Sequence, residues 1–462
     1  MSRSADPQYR KIYDRFRTAI STGQLRPGDR LPSIRNLADE LSTARGTVDA
    51  AYAMLAGEGY VVSRGQAGTI VAPDLDTALI AQASKRSPSP ARAQEPRHAE
   101  PKPLQLGLPA IDAFPRKLWA HLVAREWRRL SPSDMMYPDP AGLPRLRQAI
   151  AAYLASSRGI ACRSDQVVVT NGFQGGLDLT AHALLRRKEQ VWIEDPCFPP
   201  VRAALKTAGA DLVPVRVDED GVCVSEGSRQ APKARLAVIT PSHQSPLGVA
   251  LSLPRRLSLL HWANDANAYV VEDDYDSEFR FEGRPLPALK SLDHQQRVIY
   301  AGTFSKVLFP GLRLGYLVVP DTLLGTFIEA SSSRAAGQTS FSQRVVASFM
   351  ADGHFARHLK RMRRLYASRR TALANALYGE FAGRIVIDLP PGGMHILIRF
   401  RERINDDAIA RVAQNAGFGA EPLSSRAIKY ACGQGLLVGF TNVAECDALK
   451  IARKFKQALA RR

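Results

Sequence analysis

A lysine stands beside residues that suit a phosphate in the segment 302–313, which reads Gly-Thr-Phe-Ser-Lys-Val-Leu-Phe-Pro-Gly-Leu-Arg. The apolar run 298–300 before it is typical of a buried strand. A lysine at a strand end can form a Schiff base with an aldehyde, while Ser305 and Arg313 can hold a phosphate nearby. Pyridoxal phosphate (PLP) requires this combination, with Lys306 as the amine. Alone, one lysine predicts little, because most lysines are solvated surface residues.

A second apolar run ends in polar groups at 269–276, Tyr-Val-Val-Glu-Asp-Asp-Tyr-Asp. Open α/β sheets bind ligands at the carboxyl ends of their strands. PLP needs a carboxylate against its pyridine nitrogen and a donor on its phenolic oxygen. Asp273 and Tyr275 can supply them, although both could also belong to a plain turn at a strand end.

A glycine-rich segment, Thr-Asn-Gly-Phe-Gln-Gly-Gly at 170–176, follows the apolar run 167–169. We predict a helix from Leu177 to Leu185 after it. Free backbone N–H groups at a helix start, with glycines that allow close approach, form a phosphate cradle. Another strand is expected to end at 240–248, Thr-Pro-Ser-His-Gln-Ser-Pro-Leu-Gly.

Taken together and in this order, these segments resemble the fold-type I aminotransferases over residues 104–462. The resemblance implies a mixed, mostly parallel sheet flanked by helices, with a small C-terminal α+β subdomain. It also implies that Lys306 bonds to PLP and that Tyr137 reaches the phosphate of a neighbouring subunit. The cofactor-binding residues that it assigns are Lys306, Asp273, Tyr275, Arg313, Ser305, Phe173, Gln174, Phe198 and Tyr137.

The chain departs from the aminotransferase pattern where a substrate would bind. Ser245 replaces the usual asparagine, and Phe198 replaces a tyrosine but can still stack on the cofactor ring. The segment 433–435 lacks the arginine expected to clamp a substrate carboxylate. Arg426 or Arg399 could substitute for it, or either could be a surface or structural residue.

The N-terminal residues predict a separate DNA-binding fold. Apolar residues recur at helical spacing from Pro7 to Thr22, and Ser33 is a plausible N-cap of a helix to Leu41. A second helix is expected over 45–57, followed by short strands over 60–64 and 68–71. This order is that of a helix-turn-helix with a β-hairpin wing.

Residues 7–73 resemble the winged-helix domains of the GntR family. In such domains the second helix enters the major groove, where an arginine can bind a guanine edge, and the wing tip lies near a minor groove. The DNA-binding candidates are Ser33, Arg35, Arg45, Thr47, Arg64, Gly65 and Gln66. Each of the three arginines among them could instead be a solvated surface residue.

The composition agrees with this interpretation. The formal net charge of +19 favours polyanionic partners. The five cysteines are scattered and lack metal-ligand spacing, so we expect reduced thiols and no metal site. The sequence shows neither a signal peptide nor an apolar stretch long enough for a membrane span, from which we expect a cytoplasmic location.

Residues 74–103 are rich in proline and predict a flexible linker, with a root-mean-square span on the order of 30 Å. We therefore expect a DNA-binding domain at 1–73, the linker, and an effector and dimerisation domain at 104–462. The whole arrangement resembles the MocR/GabR group of bacterial transcription regulators. The resemblance implies a domain-swapped homodimer that binds operator DNA and senses an amine, an amino acid or PLP itself.

Two other functions are compatible with the sequence. The chain could be an aminotransferase that carries an accessory DNA-binding domain, with residual half-transamination as an intermediate case. It could also be a DNA-binding protein whose large domain has lost PLP and serves as a scaffold, but the intact Lys306, Asp273, Tyr275 and Arg313 oppose that.

Overall fold

The computed structural model describes residues 7–65, 68–75, 100–283, 287–334 and 340–460. The chain divides into two compact units, with the boundary between Ala99 and Glu100. Each unit is described by itself below. Gln66 and residues 76–99 of the expected linker lie outside the described residues.

The first unit is a three-helix fold with a two-stranded hairpin. Its elements are α1 (Gln8–Ser21), α2 (Ile34–Glu40), α3 (Arg45–Gly57), β1 (Val61–Ser63) and β2 (Thr69–Val71). The predicted N-cap is confirmed, since the Ser33 hydroxyl accepts a hydrogen bond from the Asn36 N–H at 3.1 Å. The apolar faces of the helices bury Phe16, Leu37 and Leu55 in one core, so the unit has a hydrophobic centre of its own.

The second unit is built on an eight-stranded mixed sheet. Its strands are β3 (Val167–Thr170), β4 (Gln190–Asp195), β5 (Asp211–Asp218), β6 (Gly221–Val222), β7 (Leu236–Ile239), β8 (Tyr269–Asp274), β9 (Val298–Thr303) and β10 (Gly315–Val318). Their order in the sheet is β3-β10-β9-β8-β7-β4-β5-β6. Central strands such as β7 and β8 are buried along their full length, as expected for a sheet covered on both faces.

The strand directions bring distant segments to one edge of this sheet. Strands β4, β5, β7, β8 and β9 are parallel, while β10 is antiparallel to both β9 and β3. Strand β3 therefore runs in the same direction as β9. The carboxyl ends of β3, β8 and β9, at Thr170, Asp274 and Thr303, consequently lie at the same edge.

A smaller antiparallel sheet follows in the C-terminal part. It has the order β11 (Ile385–Asp388), β12 (His395–Phe400), β14 (Leu436–Gly439), β13 (Glu421–Pro422). The helices of the second unit are α4 (Arg116–Arg128), α5 (Pro144–Arg158), α6 (Gly172–Leu184), α7 (Pro199–Thr207), α8 (Val224–Gln230), α9 (Leu253–Asp265), α10 (Leu324–Ser333), α11 (Ser340–Ala351), α12 (His354–Phe381), α13 (Asp406–Asn415) and α14 (Ala448–Ala460). This architecture confirms the predicted fold class. No described helix is both long and apolar enough to cross a bilayer.

The start of α6 differs from the prediction. We expected the helix to begin at Leu177, but it begins at Gly172. Glycine disfavours helices intrinsically, which hid this start in the sequence. Gly176 is buried, and a Cβ there would lie 3.0 Å from the Leu317 side chain, so close packing on β10 explains that glycine.

Candidate functional site

A cavity of about 310 Å³ opens where β3, β8 and β9 end. The small sheet contributes further residues to its wall. Eight of the nine predicted cofactor residues line it: Phe173, Gln174, Phe198, Asp273, Tyr275, Ser305, Lys306 and Arg313. The other lining residues include Gly107, Ser245, His395, Glu421, Arg426 and Leu437.

Lys306 is held by the chain segment 103–108, which we call the strap. Nζ of Lys306 donates a hydrogen bond to the Gly107 carbonyl at 3.0 Å. Gly107 has a φ of +63°, and a Cβ there would lie 2.2 Å from Nζ, so only glycine permits this approach. Burial lowers the pKa of Lys306. A lysine with a lowered pKa has a larger uncharged fraction, which is the nucleophilic form.

Asp273 carries the clearest sign of a missing partner. Its Oδ1 is buried without a hydrogen-bond partner among the described residues. Burial raises the pKa of Asp273 well above its usual range, and the charges of Asp274 and Asp276 add to this. A cationic N–H donor placed in the cavity would satisfy the orphaned oxygen and favour the ionised carboxylate.

Tyr275 is connected to a buried imidazole. Its hydroxyl lies 3.1 Å from Nδ1 of His243, and the same nitrogen lies 3.0 Å from Oδ2 of Asp276. Burial raises the pKa of Tyr275 well above its usual range, so its proton is retained. Tyr275 can therefore donate a hydrogen bond to an oxygen in the cavity.

Another group of lining residues suits an anion. Phe173 and Gln174 lie in the first turn of α6, where backbone N–H groups have no partner within the helix. Gly172 has a φ of +70°, and a Cβ there would lie 3.8 Å from the Ser305 hydroxyl oxygen. Arg313 is exposed at the same cavity, and no carboxylate of the described residues pairs with it.

The two arginines considered for a carboxylate lie in different places. Arg426 lines the cavity, pairs with Glu421, and places its guanidinium carbon 5.9 Å from the centre of the Phe198 ring. Arg399 binds Asp388 at 2.9 Å between Nε and Oδ2 and is not among the residues that line the cavity. Of these two arginines, only Arg426 is therefore placed to contact a molecule in the cavity.

A buried carboxylate supports the loop that carries His243. Oε2 of Glu194 accepts hydrogen bonds from the Thr240 hydroxyl at 2.6 Å and from the Gln244 amide at 3.3 Å. The same Gln244 amide donates to the Pro196 carbonyl at 2.8 Å. Burial raises the pKa of Glu194 to about 7. These bonds fix the loop between β7 and α9 against the sheet edge.

Tyr137 lies outside the cavity. Its side chain is 99% exposed, and Met135 and Met136 beside it are each 68% exposed. Its predicted contact with a neighbouring subunit is not tested by a single chain, and the exposure leaves it free for such a contact.

The DNA-binding candidates of the first unit lie on its surface. Ser33, Arg35, Arg45, Arg64 and Gly65 are exposed, and Thr47 is half-buried. Helix α3 starts after Ala44 without a side-chain cap, which leaves backbone N–H groups at its start for an anion. Among the described residues no carboxylate pairs with the three arginines.

Sequence reasoning missed part of the cavity wall and the imidazole of His243, which supports Tyr275 from outside the wall. His243 stood within a segment that we noted, yet we gave it no role, although histidine is unusual in a buried loop. The strap glycine, His395 and Glu421 come from distant segments. They carry no local signal, because the small sheet brings them to the cavity only in the folded chain.

Comparisons with known proteins agree with this architecture. Residues 111–423 match the family model "Aminotransferase class I and II", and residues 8–71 match "Bacterial regulatory proteins, gntR family". The structure is similar to LysN, the α-aminoadipate aminotransferase of Thermus thermophilus complexed with N-(5'-phosphopyridoxyl)-L-leucine. The TM-score is 0.70 at 26% identity, covering 77% of this chain and 91% of that one.

Two curated regulators match nearly the whole chain. The "Probable rhizopine catabolism regulatory protein MocR" of Rhizobium meliloti is 38% identical, over 96% of this chain and 92% of that protein. The "HTH-type pyridoxine biosynthesis transcriptional regulator PdxR" of Corynebacterium glutamicum is 31% identical, over 93% and 91%. The chain therefore belongs to the aminotransferase class I and II family and, with its gntR-family domain, to the MocR-like helix-turn-helix transcription regulators.

Proposed function

We propose that this protein is a transcription regulator whose DNA binding depends on PLP held at Lys306. The observation that carries the proposal is that Lys306 and Asp273 line the same cavity, and that Oδ1 of Asp273 is buried without a hydrogen-bond partner among the described residues. A chain whose first unit is a winged helix and whose second unit contains such a cavity has the parts of a ligand-controlled DNA-binding protein. In this proposal the domains span 1–73 and 104–462, joined by a linker at 74–103.

Each group of the cavity has a role in this proposal. PLP supplies an aldehyde that bonds covalently to primary amines and a ring that withdraws electrons. Asp273 faces the pyridine nitrogen, Tyr275 donates to the phenolic oxygen and Phe198 packs on the ring. The phosphate is held by Ser305, Arg313 and the amides of Phe173 and Gln174.

The proposal includes a homodimer, with Tyr137 reaching the phosphate bound by the partner subunit. A tyrosine that is 99% exposed beside two exposed methionines supports a surface covered in the assembly. In the first unit, Arg45 and Thr47 contact bases or phosphates from α3. Ser33, the N-cap of α2, and Arg35 on that helix contact the operator, and Arg64 and Gly65 of the wing lie near a minor groove.

An aminotransferase with an accessory domain remains the competing function, and operator titration separates the two. An effector acts on DNA binding only if it binds the DNA-competent and incompetent states with different affinities. We expect the affinity for the DNA upstream of its own gene to differ at least roughly fivefold between PLP-free and PLP-loaded protein. The salt concentration must be fixed, because phosphate contacts depend steeply on it.

Two variants complete this experiment. Lys306→Ala should remove the difference between the two titrations, while Lys360→Ala, an exposed lysine on α12, should retain it. Coinciding curves for the unsubstituted protein, together with steady transamination at about 1 per second or faster, would replace the regulator with the enzyme.

A further inference from the structure

Two oppositely charged side chains, Glu421 and Arg426, form a pair in the wall of the Lys306 cavity. Glu421 lies on β13, and Arg426 lies in the short turn directly after that strand. Nη2 of Arg426 binds Oε2 of Glu421. The small sheet therefore presents to the cavity a pair whose charges cancel.

Arg426 is held firmly in this place. Its carbonyl accepts the Cys197 N–H at 3.2 Å. The chain just after it is fixed by the Asp195 carboxylate, which accepts the N–H groups of residues 428, 429 and 430 at 2.8, 2.6 and 2.9 Å. Only 6% of Arg426 is exposed, and its guanidinium lies over the Phe198 ring. The pair is thus a fixed feature of the wall.

This pair is poorly suited to bind a carboxylate of a ligand. An arginine binds a carboxylate best through two parallel N–H groups, and Glu421 already occupies one nitrogen of Arg426. The negative charge of Glu421 would also repel an arriving carboxylate. Leu437, on the same wall, adds no charge. Arg313, the other described arginine that lines the cavity, stands at the proposed phosphate site, and Arg399 pairs with Asp388 away from the cavity lining.

A hydroxyl group fits the pair better than either kind of ion. The Glu421 side chain is 42% exposed and offers acceptor oxygens, while the remaining N–H groups of Arg426 offer donors. A hydroxyl both donates and accepts, so it can satisfy both partners at once. A second ammonium group on the ligand would be attracted by Glu421 but repelled by Arg426. The pair therefore discriminates against extra charge of either sign.

We propose that the effector is a hydroxyl-bearing primary amine without a carboxylate, and that Glu421 and Arg426 determine this specificity. This inference rests on the proposed function, because the amine of the effector reaches PLP at Lys306. It adds the chemical class of the ligand to that function.

The test is a titration of full-length, PLP-loaded protein, followed by the visible absorbance of the bound cofactor. Serinol and serine differ only in that one hydroxymethyl group of serinol is a carboxylate in serine. A third ligand is the diamine in which one hydroxyl of serinol is replaced by an amine. We expect serinol to bind at least about tenfold more tightly than serine or the diamine, the difference that about 1.4 kcal/mol provides.

Substitutions assign this preference to the pair. Glu421→Gln removes the negative charge and frees Arg426, so serine should bind at least about tenfold more tightly than to the unsubstituted protein. Arg426→Met leaves Glu421 unpaired and should favour the diamine instead. Asp388→Asn is the matched control, because it breaks a similar pair with Arg399 outside the cavity lining and should leave all three affinities unchanged.

The outcomes separate this inference from the proposed function. The inference is wrong if the cofactor band is present and serine binds as tightly as serinol. It is also wrong if Glu421→Gln leaves the preference for serinol unchanged. The inference is equally refuted if the band is present and does not respond to serinol. Absence of any cofactor band on loading refutes the proposed function itself.

Discussion

Nδ1 of His243 lies 3.1 Å from the hydroxyl oxygen of Tyr275 and 3.0 Å from Oδ2 of Asp276. An ionised carboxylate only accepts hydrogen bonds, so we assign the proton of this nitrogen to the bond with Asp276. The Tyr275 hydroxyl then keeps its own hydrogen for an acceptor in the cavity. His243 is accordingly a positioning residue, which acts through Tyr275.

We expect His243→Ala to weaken PLP binding about 5- to 30-fold, the effect of about 1–2 kcal/mol for one hydrogen bond. Without the imidazole, the Tyr275 hydroxyl can turn to the Asp276 carboxylate and is lost to the cofactor. Equilibrium binding of PLP measures the loss, and the position of the visible band reports the changed contact to the phenolic oxygen. His243→Asn retains a donor for Asp276 and should restore part of the affinity, whereas equal losses in both variants would argue against the role of the donor.

Gly107→Ala should weaken PLP binding, because either the flexible end of Lys306 or the strap must shift. The new Cβ would lie 2.2 Å from Nζ of Lys306, and the φ of +63° would be strained for alanine. Gly379→Ala, on α12 with no atom within 4 Å of the new Cβ, is the matched control and should bind PLP normally. For both variants, the visible absorbance of the bound cofactor after loading with PLP and dialysis measures how much PLP is retained. Full cofactor retention in the Gly107 variant would show that the strap is not rigid.

Arg45→Ala should reduce specific operator affinity by about 1–3 kcal/mol if its side chain reads a guanine. Arg10→Ala, an exposed arginine of α1 outside the helix-turn-helix, is the matched control. Anisotropy titrations with operator and with random DNA distinguish the two kinds of contact. An equal loss on random DNA would reassign Arg45 to a phosphate.

The contribution of Glu194 to the stability of the second unit should fall as the pH rises. Burial raises the pKa of Glu194 to about 7 in the folded chain, while the unfolded chain has the ordinary value of 4.5. The folded state thus binds more protons between these values, and stability is lost as the pH rises through that window. In the unsubstituted protein, Glu194 should lower the free energy of unfolding by on the order of 1–3 kcal/mol between pH 5 and pH 8. Glu194→Gln should abolish this decrease.

Urea unfolding at several pH values measures the slope of the free energy of unfolding against pH. An unaltered slope in the Glu194 variant would mean that other carboxylates, such as the buried Glu272 with a pKa also raised to about 7, account for it.

The parts of the cavity that the sequence predicts are those attached to strand ends. Lys306, Asp273 and Tyr275 follow apolar runs, and parallel strands bring their carboxyl ends together. Gly107, His395 and Glu421 could not be found in this way, because their approach depends on how the strap and the small sheet pack. The bounds of α3 matched the prediction because its apolar spacing is regular, whereas the glycines of α6 obscured its start.

The strap has a mechanical consequence for the chain that precedes it. Its Pro103 and Leu104 carbonyls accept N–H groups of Gly419 and Gly439 at 2.8 and 2.9 Å, and its Gly107 carbonyl binds Lys306. It begins within a few residues of the boundary between the two units. Tension along the connecting chain is therefore carried first by the bonded carbonyls of Pro103 and Leu104, only three residues before the peptide that binds the reactive amine.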